Sequence, residues 1–411
     1  MTRLMVYSHD TFGLGNIRRM LALSQHLIEH RDDLSILLVT GSPVIHSLRL
    51  PKRLDYIKLP CLTRTGSETY SAKTLGTTID QTLRLRSQLI LAATAEFRPD
   101  IMLIDKKPGG IKNELDQSLA YARRKNRSLK TALILRDILD EPSRTIAAWE
   151  RQGQYDRVAT HYDIVLVMGE RSIFDQTEEY RFPPAVAAKT VHCGYLGRSP
   201  REQDSARIRA GLGVKTNAPM VLVTAGGGED GFPVLESYAN CLNDSRLAGV
   251  QSVVVTGPEM PNAQRERLTA AFAAHPNVHV LPFAEDLFSI MKAADAVVSM
   301  GGYNTVCELL SLRKRAVVIP RAEPVAEQWI RTQRLADRGL FSTIHPSALT
   351  PATLCDAVVR ELKYVRSGRG GFYPDMNALD RIADWTASQI DVENGLFTAL
   401  RPLRTTLLPC L

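Results

Sequence analysis

The 411-residue sequence lacks the features that define membrane-spanning, zinc-binding or disulfide-stapled proteins. No apolar run reaches the length of about 18 residues that a spanning helix needs. The six cysteines show neither CxxC nor CxxH spacing, which argues against a zinc site and against a disulfide framework. We therefore expect no metal and no cofactor, and a reducing cytoplasm is the expected compartment.

The composition is that of a globular enzyme. Apolar residues make up 44% of the chain and charged residues 23%. The length predicts two domains and allows a third. The opening segment MTRLMVYSHD has one basic residue and turns polar at Ser8, so it predicts a first β-strand rather than a signal peptide.

The positive charge of the chain is concentrated in its first half. Residues 1–195 hold 28 Lys/Arg and 22 Asp/Glu, a net charge of +6 within the total of +7. Basic runs occur at Arg18-Arg19, at 48–54 and at 123–130. Such a surface suits a phosphate, an acidic substrate or an anionic membrane, although an ordinary solvated surface explains it equally well.

Short apolar strands alternate with helical segments throughout the first half. Residues 16–30 and 78–97 have the spacing of helices, and the polar segment 61–77 predicts a long loop that could act as a lid. The predicted strands are 4–8, 34–40, 56–59, 100–105, 133–135 and 164–168. This alternation predicts a parallel sheet covered by helices on both faces.

A second series of strands follows residue 200. Its predicted strands are 221–224, 252–256, 278–281, 296–299 and 316–319. The segment 193–205 contains Gly, Pro and Ser without periodicity and is the predicted linker. We therefore predict an α/β fold with two Rossmann-like doubly wound domains facing a cleft, residues 1–195 and 196–375. An amphipathic helix and tail, 376–411, would return to the N-terminal domain.

Glycine-rich loops after the second-half strands are the candidate ligand sites, because doubly wound sheets bind ligands at the carboxyl ends of their strands. The glycines at 226–228 lack the Gly-Lys-Ser/Thr of a Walker loop. The glycines at 301–302 precede a helix whose free N–H groups favour a phosphate. Glu308 lies four residues after Asn304, on the same helix face, where its carboxylate could accept both hydroxyls of a ribose.

The loop between the first strand and the first helix holds candidate catalytic groups. Gly13 and Gly15 allow close backbone approach, but Arg18 stands where the GxGxxG fingerprint requires glycine, which argues against a classical NAD site. His9 and Asp10 lie where a general base could reach a bound acceptor. The alternative, that both residues only cap the turn, is equally open.

Two motifs in the second half resemble those of a known family. SMGGYNTVCELL at 299–310, followed by VVIPRAEPVAEQ at 317–328, is similar to the nucleotide-sugar half of the GT-B glycosyltransferases, specifically the MurG-like family 28. The resemblance extends over about residues 220–345. More weakly, GLGNIRRMLALSQHL at 13–27 resembles the first loop and helix of that family.

The resemblance implies a metal-independent hexosyltransferase. It would move a hexose or N-acetylhexosamine from a nucleoside-diphosphate sugar, with a UDP-sugar favoured, to a hydroxyl acceptor bound by the N-terminal domain. The Asp-x-Asp motif of metal-dependent transferases does not occur in this sequence. Helix N-termini and basic groups would stabilise the departing nucleoside diphosphate instead.

The resemblance also implies roles for individual residues. Glu308 would bind the ribose, the backbone near Phe283 would hold the base, and Glu327 with Gln328 would contact the donor sugar. The diphosphate would be held by Gly226, Gly227, Gly228, Gly301, Gly302, Asn304 and Thr305. The acceptor side would comprise Gly13, Gly15, Asn16 and Arg18. One position departs from the family: its first-loop His is Asn16 here, which cannot act as a base, so His9 or Asp10 would accept the proton.

Other functions fit the same loops. A nucleotide-sugar 2-epimerase would bind the same donor, and a non-catalytic nucleotide-sugar-binding subunit would explain the missing histidine. A nucleic-acid partner is not expected, since no basic-aromatic motif is present. A lipid-linked or phosphorylated acceptor, or an anionic membrane surface, would give the basic half a role. That interpretation implies a cytoplasmic protein held peripherally on the inner face of the membrane.

Overall fold

The computed structural model describes residues 1–10, 15–66, 69–199, 204–215, 217–363 and 372–393. Its strands are β1 (Thr2–Ser8), β2 (Leu34–Thr40), β3 (Leu54–Lys58), β4 (Leu62–Gly66), β5 (Thr69–Ala72), β6 (Ile101–Asp105), β7 (Lys130–Arg136), β8 (Ile164–Met168), β9 (Thr190–His192), β10 (Met220–Thr224), β11 (Gln251–Val255), β12 (Val278–Leu281), β13 (Ala296–Ser299), β14 (Ala316–Val318) and β15 (Ser342–Thr343).

The α-helices alternate with these strands, as the sequence predicts. They are α1 (Gly15–His30), α2 (Ile79–Phe97), α3 (Asp116–Lys125), α4 (Pro142–Arg151), α5 (Gln154–His161), α6 (Gln176–Glu179), α7 (Pro184–Ala187), α8 (Ser205–Gly211), α9 (Phe232–Cys241), α10 (Asn262–Ala273), α11 (Leu287–Ala293), α12 (Tyr303–Ser311), α13 (Glu327–Ala336), α14 (Pro351–Lys363) and α15 (Ala378–Glu393). Among the helices that the structure describes, none is long and apolar enough to cross a bilayer.

Two parallel sheets organise the molecule. The first has the strand order β3-β2-β1-β6-β7-β8-β9 and the second the order β12-β11-β10-β13-β14-β15. Each order reverses next to its first strand, so each sheet has a switch point: between β1 and β6 in one, and between β10 and β13 in the other. The prediction of two Rossmann-like doubly wound units is confirmed.

Both faces of each sheet are buried, which explains why the strand sequences are continuously apolar. Leu4 and Val6 of β1 pack into one core cluster, and Met5 and Tyr7 pack into another on the opposite face. In the second sheet, Leu222 faces one way, while its neighbours on either side in β10 face a third cluster. Alternate side chains of β1 and β10 therefore pack into different hydrophobic cores on the two faces of each sheet.

The sequence predicts a long loop at 61–77, and this prediction is wrong. The segment contains an antiparallel hairpin. Strands β4 and β5 pair with Leu62 opposite Ala72 and Thr63 opposite Ser71. Leu62 and Tyr70 are buried against Ile111, so the hairpin has a small apolar core of its own. The burial of these side chains and the hydrogen bonds between β4 and β5 stabilise the hairpin, although most residues of the segment are polar.

Helix α15 returns to the first sheet's side of the molecule. Arg31, the residue after α1, forms an ion pair with Asp391 of α15 at 2.9 Å. The backbone N–H of Ala378 donates to the carbonyl of Tyr195. The predicted boundary near 195 lies between β9 and β10, and the exact domain limits stay predictions. The tail from 394 onwards lies outside the described residues.

Candidate active site

The first switch point brings Asp10 into a buried polar position at the end of β1. Its Oδ2 accepts a hydrogen bond of 2.5 Å from the hydroxyl of Thr40, which ends the neighbouring strand β2. Burial raises the pKa of Asp10 to about 6, and the hydroxyls of Thr40 and Ser8 partly oppose that rise. A carboxyl group with this pKa is ionised at neutral pH and can accept a proton.

A buried ion pair lies near Gly41, which follows β2. Arg86 of α2 donates to Glu114 with distances of 2.6 and 2.7 Å, and Tyr7 donates to the same carboxylate at 2.6 Å. A Cβ added at Gly41 would lie 3.0 Å from the Arg86 guanidinium and 3.1 Å from the Asp10 carbonyl. Arg86 and the Asp10 carbonyl therefore both lie close to Gly41, and a side chain at 41 would crowd them.

His9 and Asn16 are joined by a backbone contact. The side-chain amide of Asn16 donates to the carbonyl of His9, and its oxygen accepts from Arg19. The backbone N–H of His9 donates to Asp105 at the end of β6. Asn16 therefore positions the His9–Asp10 turn, a structural role for the residue that replaces the family histidine.

Arg19 belongs to the basic run Arg18-Arg19, but it is not available to hold an acceptor phosphate. Its side chain is 1% exposed and donates to Asp105 at 2.6 Å. The guanidinium also lies over the ring of Tyr303, 5.8 Å from the ring centre. Arg18, by contrast, is exposed and stays a candidate for the acceptor side.

The second switch point places the start of α12 against the start of α1. Gly302 precedes α12, and the side-chain amide of Asn304 donates to the carbonyl of Gly15 at 3.0 Å. A Cβ at Gly301 would meet Pro320 and Thr332 at 2.9 Å, so only glycine fits there. Thr305 lies next on α12. The predicted diphosphate loop of the second half therefore faces the predicted acceptor loop of the first.

Glu308 lies one turn into α12 in a pocket of low exposure. Burial raises the pKa of its carboxyl group, and the adjacent positive charge of Arg198 works in the opposite direction. Arg198 forms an ion pair with Glu308 and lies over the ring of Phe288. The Arg198 side chain is 45% exposed, so this ion pair is accessible from solvent.

Glu327 and Gln328 follow β14, but Glu327 is already paired. Arg136 of β7 donates to its carboxylate at 3.1 Å, and Arg331 lies 3.9 Å from it. Burial alone would raise the pKa of Glu327, but the positive charges of Arg136 and Arg331 outweigh it and lower the pKa. The amide oxygen of Gln328 accepts from the backbone N–H of Arg321. Any sugar bound here would meet an arginine–carboxylate pair rather than a lone carboxylate.

The loop after β10 lies beside β13 at the same sheet edge. Gly226 is exposed and Gly227 is half-buried, while Gly228 has a φ of +99° and a Cβ there would clash with the carbonyl of Thr256 at 2.4 Å. Burial raises the pKa of Glu259 beside this loop, and the charges of Lys73 and Arg18 from the first half oppose it. These long-range charges indicate that the two halves face each other across this loop.

One predicted residue, Phe283, stands apart from these contacts. Phe283, after β12, is 49% exposed and lies at the far side of the second sheet from Glu327, because β12 and β14 are separated by three strands. Gly13 lies outside the described residues.

The basic runs at 48–54 and 123–130 precede β3 and β7. They lie at the amino edge of the first sheet, opposite the edge that holds His9 and Asp10. Arg53 donates to the carbonyls of Ile28 and Arg31, and Arg123 pairs with Asp163, so part of this charge is structural. These two basic runs therefore do not line the cleft.

Sequence reasoning missed a set of buried charged residues between the halves. Asp105, Arg136 and Asp137 follow or end predicted strands, so their position at the carboxyl edge was a usable signal. Nothing in the sequence distinguishes Arg331 from an exposed helical arginine. Its burial becomes visible only in the structure, where it contacts Asp137.

Part of the second half matches a known protein-family model. Residues 220–364 match the model of the glycosyltransferase family 28 C-terminal domain. This stretch therefore matches the C-terminal domain of glycosyltransferase family 28. The family 28 domain contains every predicted donor residue, from Gly226 to Gln328, and confirms the resemblance seen in the sequence.

Individual relatives agree with this assignment. An uncharacterized glycosyltransferase of Methanopyrus kandleri is 24% identical over 57% of this chain and 63% of its own length. A UDP-N-acetylglucosamine–N-acetylmuramyl-(pentapeptide) pyrophosphoryl-undecaprenol N-acetylglucosamine transferase of Leuconostoc mesenteroides is 26% identical over 38% of this chain and 44% of its own. The chain therefore spans less than two thirds of the length of the curated relatives it matches.

Solved structures share the whole fold. MurG of Acinetobacter baumannii superposes with a TM-score of 0.56 at 15% identity, covering 94% of this chain and all of that one. A UDP-N-acetylglucosamine 2-epimerase of Listeria monocytogenes, described as putative, gives 0.62 at 12% identity, covering 95% and 96%. At these identities the likeness shows the fold, and the fold is GT-B.

Proposed function

We propose that this protein is a glycosyltransferase that moves a hexose or N-acetylhexosamine from a nucleoside-diphosphate sugar, with UDP as the favoured nucleotide, to a hydroxyl acceptor. The observation that supports it best is the hydrogen bond between Asn304 and Gly15. That contact sets the phosphate-type helix start of the family 28 domain directly against the loop that holds His9 and Asp10.

The order of loops along the second sheet fits an extended donor. Phe283 follows β12, the glycines at 226–228 follow the central strand β10, and Glu327 with Gln328 follow β14. A nucleotide sugar lying across this edge would place its base near Phe283 and its diphosphate at the glycines. Its ribose would meet Glu308, and its sugar would meet Glu327 and Gln328.

The second half, which would bind the diphosphate, carries almost no net charge, so local groups would have to stabilise the anion. The N–H groups at the start of α12 and the flexible glycines offer hydrogen bonds, and the helix dipole favours the negative charge. Arg18 of the first half is the exposed cation whose charge acts on both Glu308 and Glu259. Gly301, Gly302, Asn304 and Thr305 would therefore contact the phosphates directly.

Transfer would proceed by attack of the acceptor oxygen on the anomeric carbon. His9 or Asp10 would accept the proton of the acceptor hydroxyl as the new glycosidic bond forms and the bond to the diphosphate oxygen breaks. Asp10 has the better-matched chemistry, because its pKa of about 6 leaves it ionised at neutral pH. The nucleoside diphosphate leaves with the bonding electron pair, stabilised by the N–H groups at α12.

The acceptor side is proposed to be lipid-linked or phosphorylated. The Leuconostoc relative is named for a pyrophosphoryl-undecaprenol acceptor, and Gly15, Asn16 and Arg18 lie in the first turn of α1, which faces α12. Docking to an anionic membrane surface would use the basic runs at the other sheet edge. This arrangement implies a cytoplasmic protein held peripherally on the inner face of the membrane.

A panel of nucleotide sugars tested for thermal stabilisation checks the donor. A ligand at about 100 times its Kd adds about 2.7 kcal/mol of stability, enough to raise the melting temperature by several degrees. A UDP-sugar should stabilise the chain more than UDP alone if Glu327 and Gln328 contact the sugar. Stabilisation by none of the nucleotides would contradict the proposal.

Product analysis separates the transferase from the 2-epimerase, whose fold is the same. An epimerase converts the free UDP-sugar in the absence of acceptor, so a new UDP-sugar would accumulate. A transferase leaves the donor intact, or slowly hydrolyses it, until an acceptor is added. Appearance of an epimeric UDP-sugar without acceptor would replace the proposal by the alternative.

A further inference from the structure

Two histidines and an aspartate converge where α15 rests on α1. His26 and His30 are one helical turn apart on α1, and their ring centres lie 3.9 Å from each other. Asp380, near the start of α15, brings its Oδ1 to 3.0 Å from Nε2 of His26. One ring nitrogen of each histidine and one carboxylate oxygen of Asp380 all lie within 4.8 Å of one another.

We propose that His26, His30 and Asp380 form a binding site for a divalent transition metal, with Zn²⁺ as the best-fitting ion. Two imidazoles and one carboxylate are a ligand set that Zn²⁺ accepts, with water completing a tetrahedral shell. Ligands at about 2.0–2.1 Å from such an ion are separated by about 3.3 Å, close to the His26–Asp380 spacing.

The surrounding hydrogen bonds favour metal binding. The Nδ1–H of His30 donates to the carbonyl of His26 at 2.8 Å, so Nε2 of the neutral ring holds the free lone pair. Helical spacing of i and i+4 puts both rings on one face, which is the spacing of paired histidine ligands. His30 and Asp380 are exposed, so an ion can enter from solvent.

The site would join the two ends of the described chain. Helix α1 belongs to the first sheet's side, whereas α15 follows the family 28 domain in sequence. The Arg31–Asp391 ion pair already connects the residue that follows α1 to α15. A bound ion would add a second connection and hold the returning helix in place. The site lies on α1 away from the proposed donor loops, so this inference is independent of the proposed activity.

Titration of the tag-free, EDTA-treated full chain with Zn²⁺ against a chromophoric chelator tests the proposal. We expect one tight equivalent per chain, and a higher melting temperature with Zn²⁺ than without it. His26→Ala, His30→Ala and Asp380→Asn should each weaken that equivalent by about tenfold or more. His46→Ala and Asp384→Asn alter an exposed histidine and an exposed aspartate outside the cluster and should leave it unchanged.

Both variants on exposed positions, His30→Ala and Asp380→Asn, should keep the unfolding transition of the metal-free chain, so a loss of binding would not reflect misfolding. Zinc held by cysteines would persist in all three cluster variants. Absence of a stoichiometric Zn²⁺ site, or a site that survives the three substitutions, would overturn the proposal.

Discussion

Arg331 of α13 and Asp137, which follows β7, form a fully buried ion pair between the two halves of the molecule. Two guanidinium nitrogens reach the two carboxylate oxygens at 2.8 Å each, and the side chains are 0% and 2% exposed. Arg331 also donates to the carbonyl of Gly301 at 3.2 Å. The pair therefore connects the first sheet to the glycine loop at which the diphosphate is proposed to bind.

Breaking this pair should be strongly destabilising. Asp137→Asn removes the hydrogen-bonded counter-charge of the buried Arg331 and leaves it only the more distant Glu327 carboxylate, so we expect a loss of about 3–5 kcal/mol in the free energy of unfolding. Urea unfolding followed by circular dichroism measures it. Arg267→Ala is the matched control, because its pair with Glu236 is largely exposed and should contribute less than about 1 kcal/mol. Equal losses in the two variants would contradict the role of burial.

Removing the Glu308 carboxylate should weaken donor binding. Hydrogen bonds to a charged group contribute about 1.5–3 kcal/mol, so Glu308→Gln should lower the affinity for UDP or a UDP-sugar by about ten- to a hundredfold in calorimetry. Glu266→Gln changes an exposed glutamate on α10 in the same way and should leave the affinity unchanged. If Glu308→Gln binds like the unmodified chain, the ribose is held elsewhere.

The acid limb of the pH–rate profile should report Asp10. Its pKa of about 6 means that the carboxylate becomes available as pH rises through about 6, so kcat/KM should increase over that interval. The Thr40 hydroxyl lowers this pKa, and Thr40→Val should therefore move the limb to higher pH. Thr94→Val removes a buried hydroxyl elsewhere and should not move it. A limb that persists in Asp10→Asn would point to His9.

Membrane docking should depend on the basic run at the end of α3. Each basic residue near an anionic surface contributes about 1 kcal/mol, so Arg124→Ala and Lys125→Ala should each weaken binding to phosphatidylserine vesicles about fivefold. Added salt should weaken it further. Arg207→Ala, an exposed arginine of the second half, is the control. If neither salt nor these substitutions weaken vesicle binding, the proposed membrane docking is wrong.

Much of the fold was predictable because strand and helix periodicity are local properties. The strands at 34–40, 164–168, 278–281 and 296–299 begin and end in the structure where the sequence predicts them. The short helices α3 to α7 and the strand β9 were not predicted, since their apolar patterns are brief and their stability comes from packing. The hairpin of β4 and β5 was not predicted for the same reason, because its apolar side chains pack against Ile111, which is distant in the sequence.

The sequence by itself determined the two α/β halves, the glycine loops and the likeness of the second half to family 28, because those features reside in contiguous motifs. Tertiary structure decided which charges are free. It paired Arg19 with Asp105, Glu327 with Arg136, and the two histidines of α1 with Asp380. Such pairings depend on strand order and helix crossing, and a buried charge takes its partner from whichever segment the fold brings near.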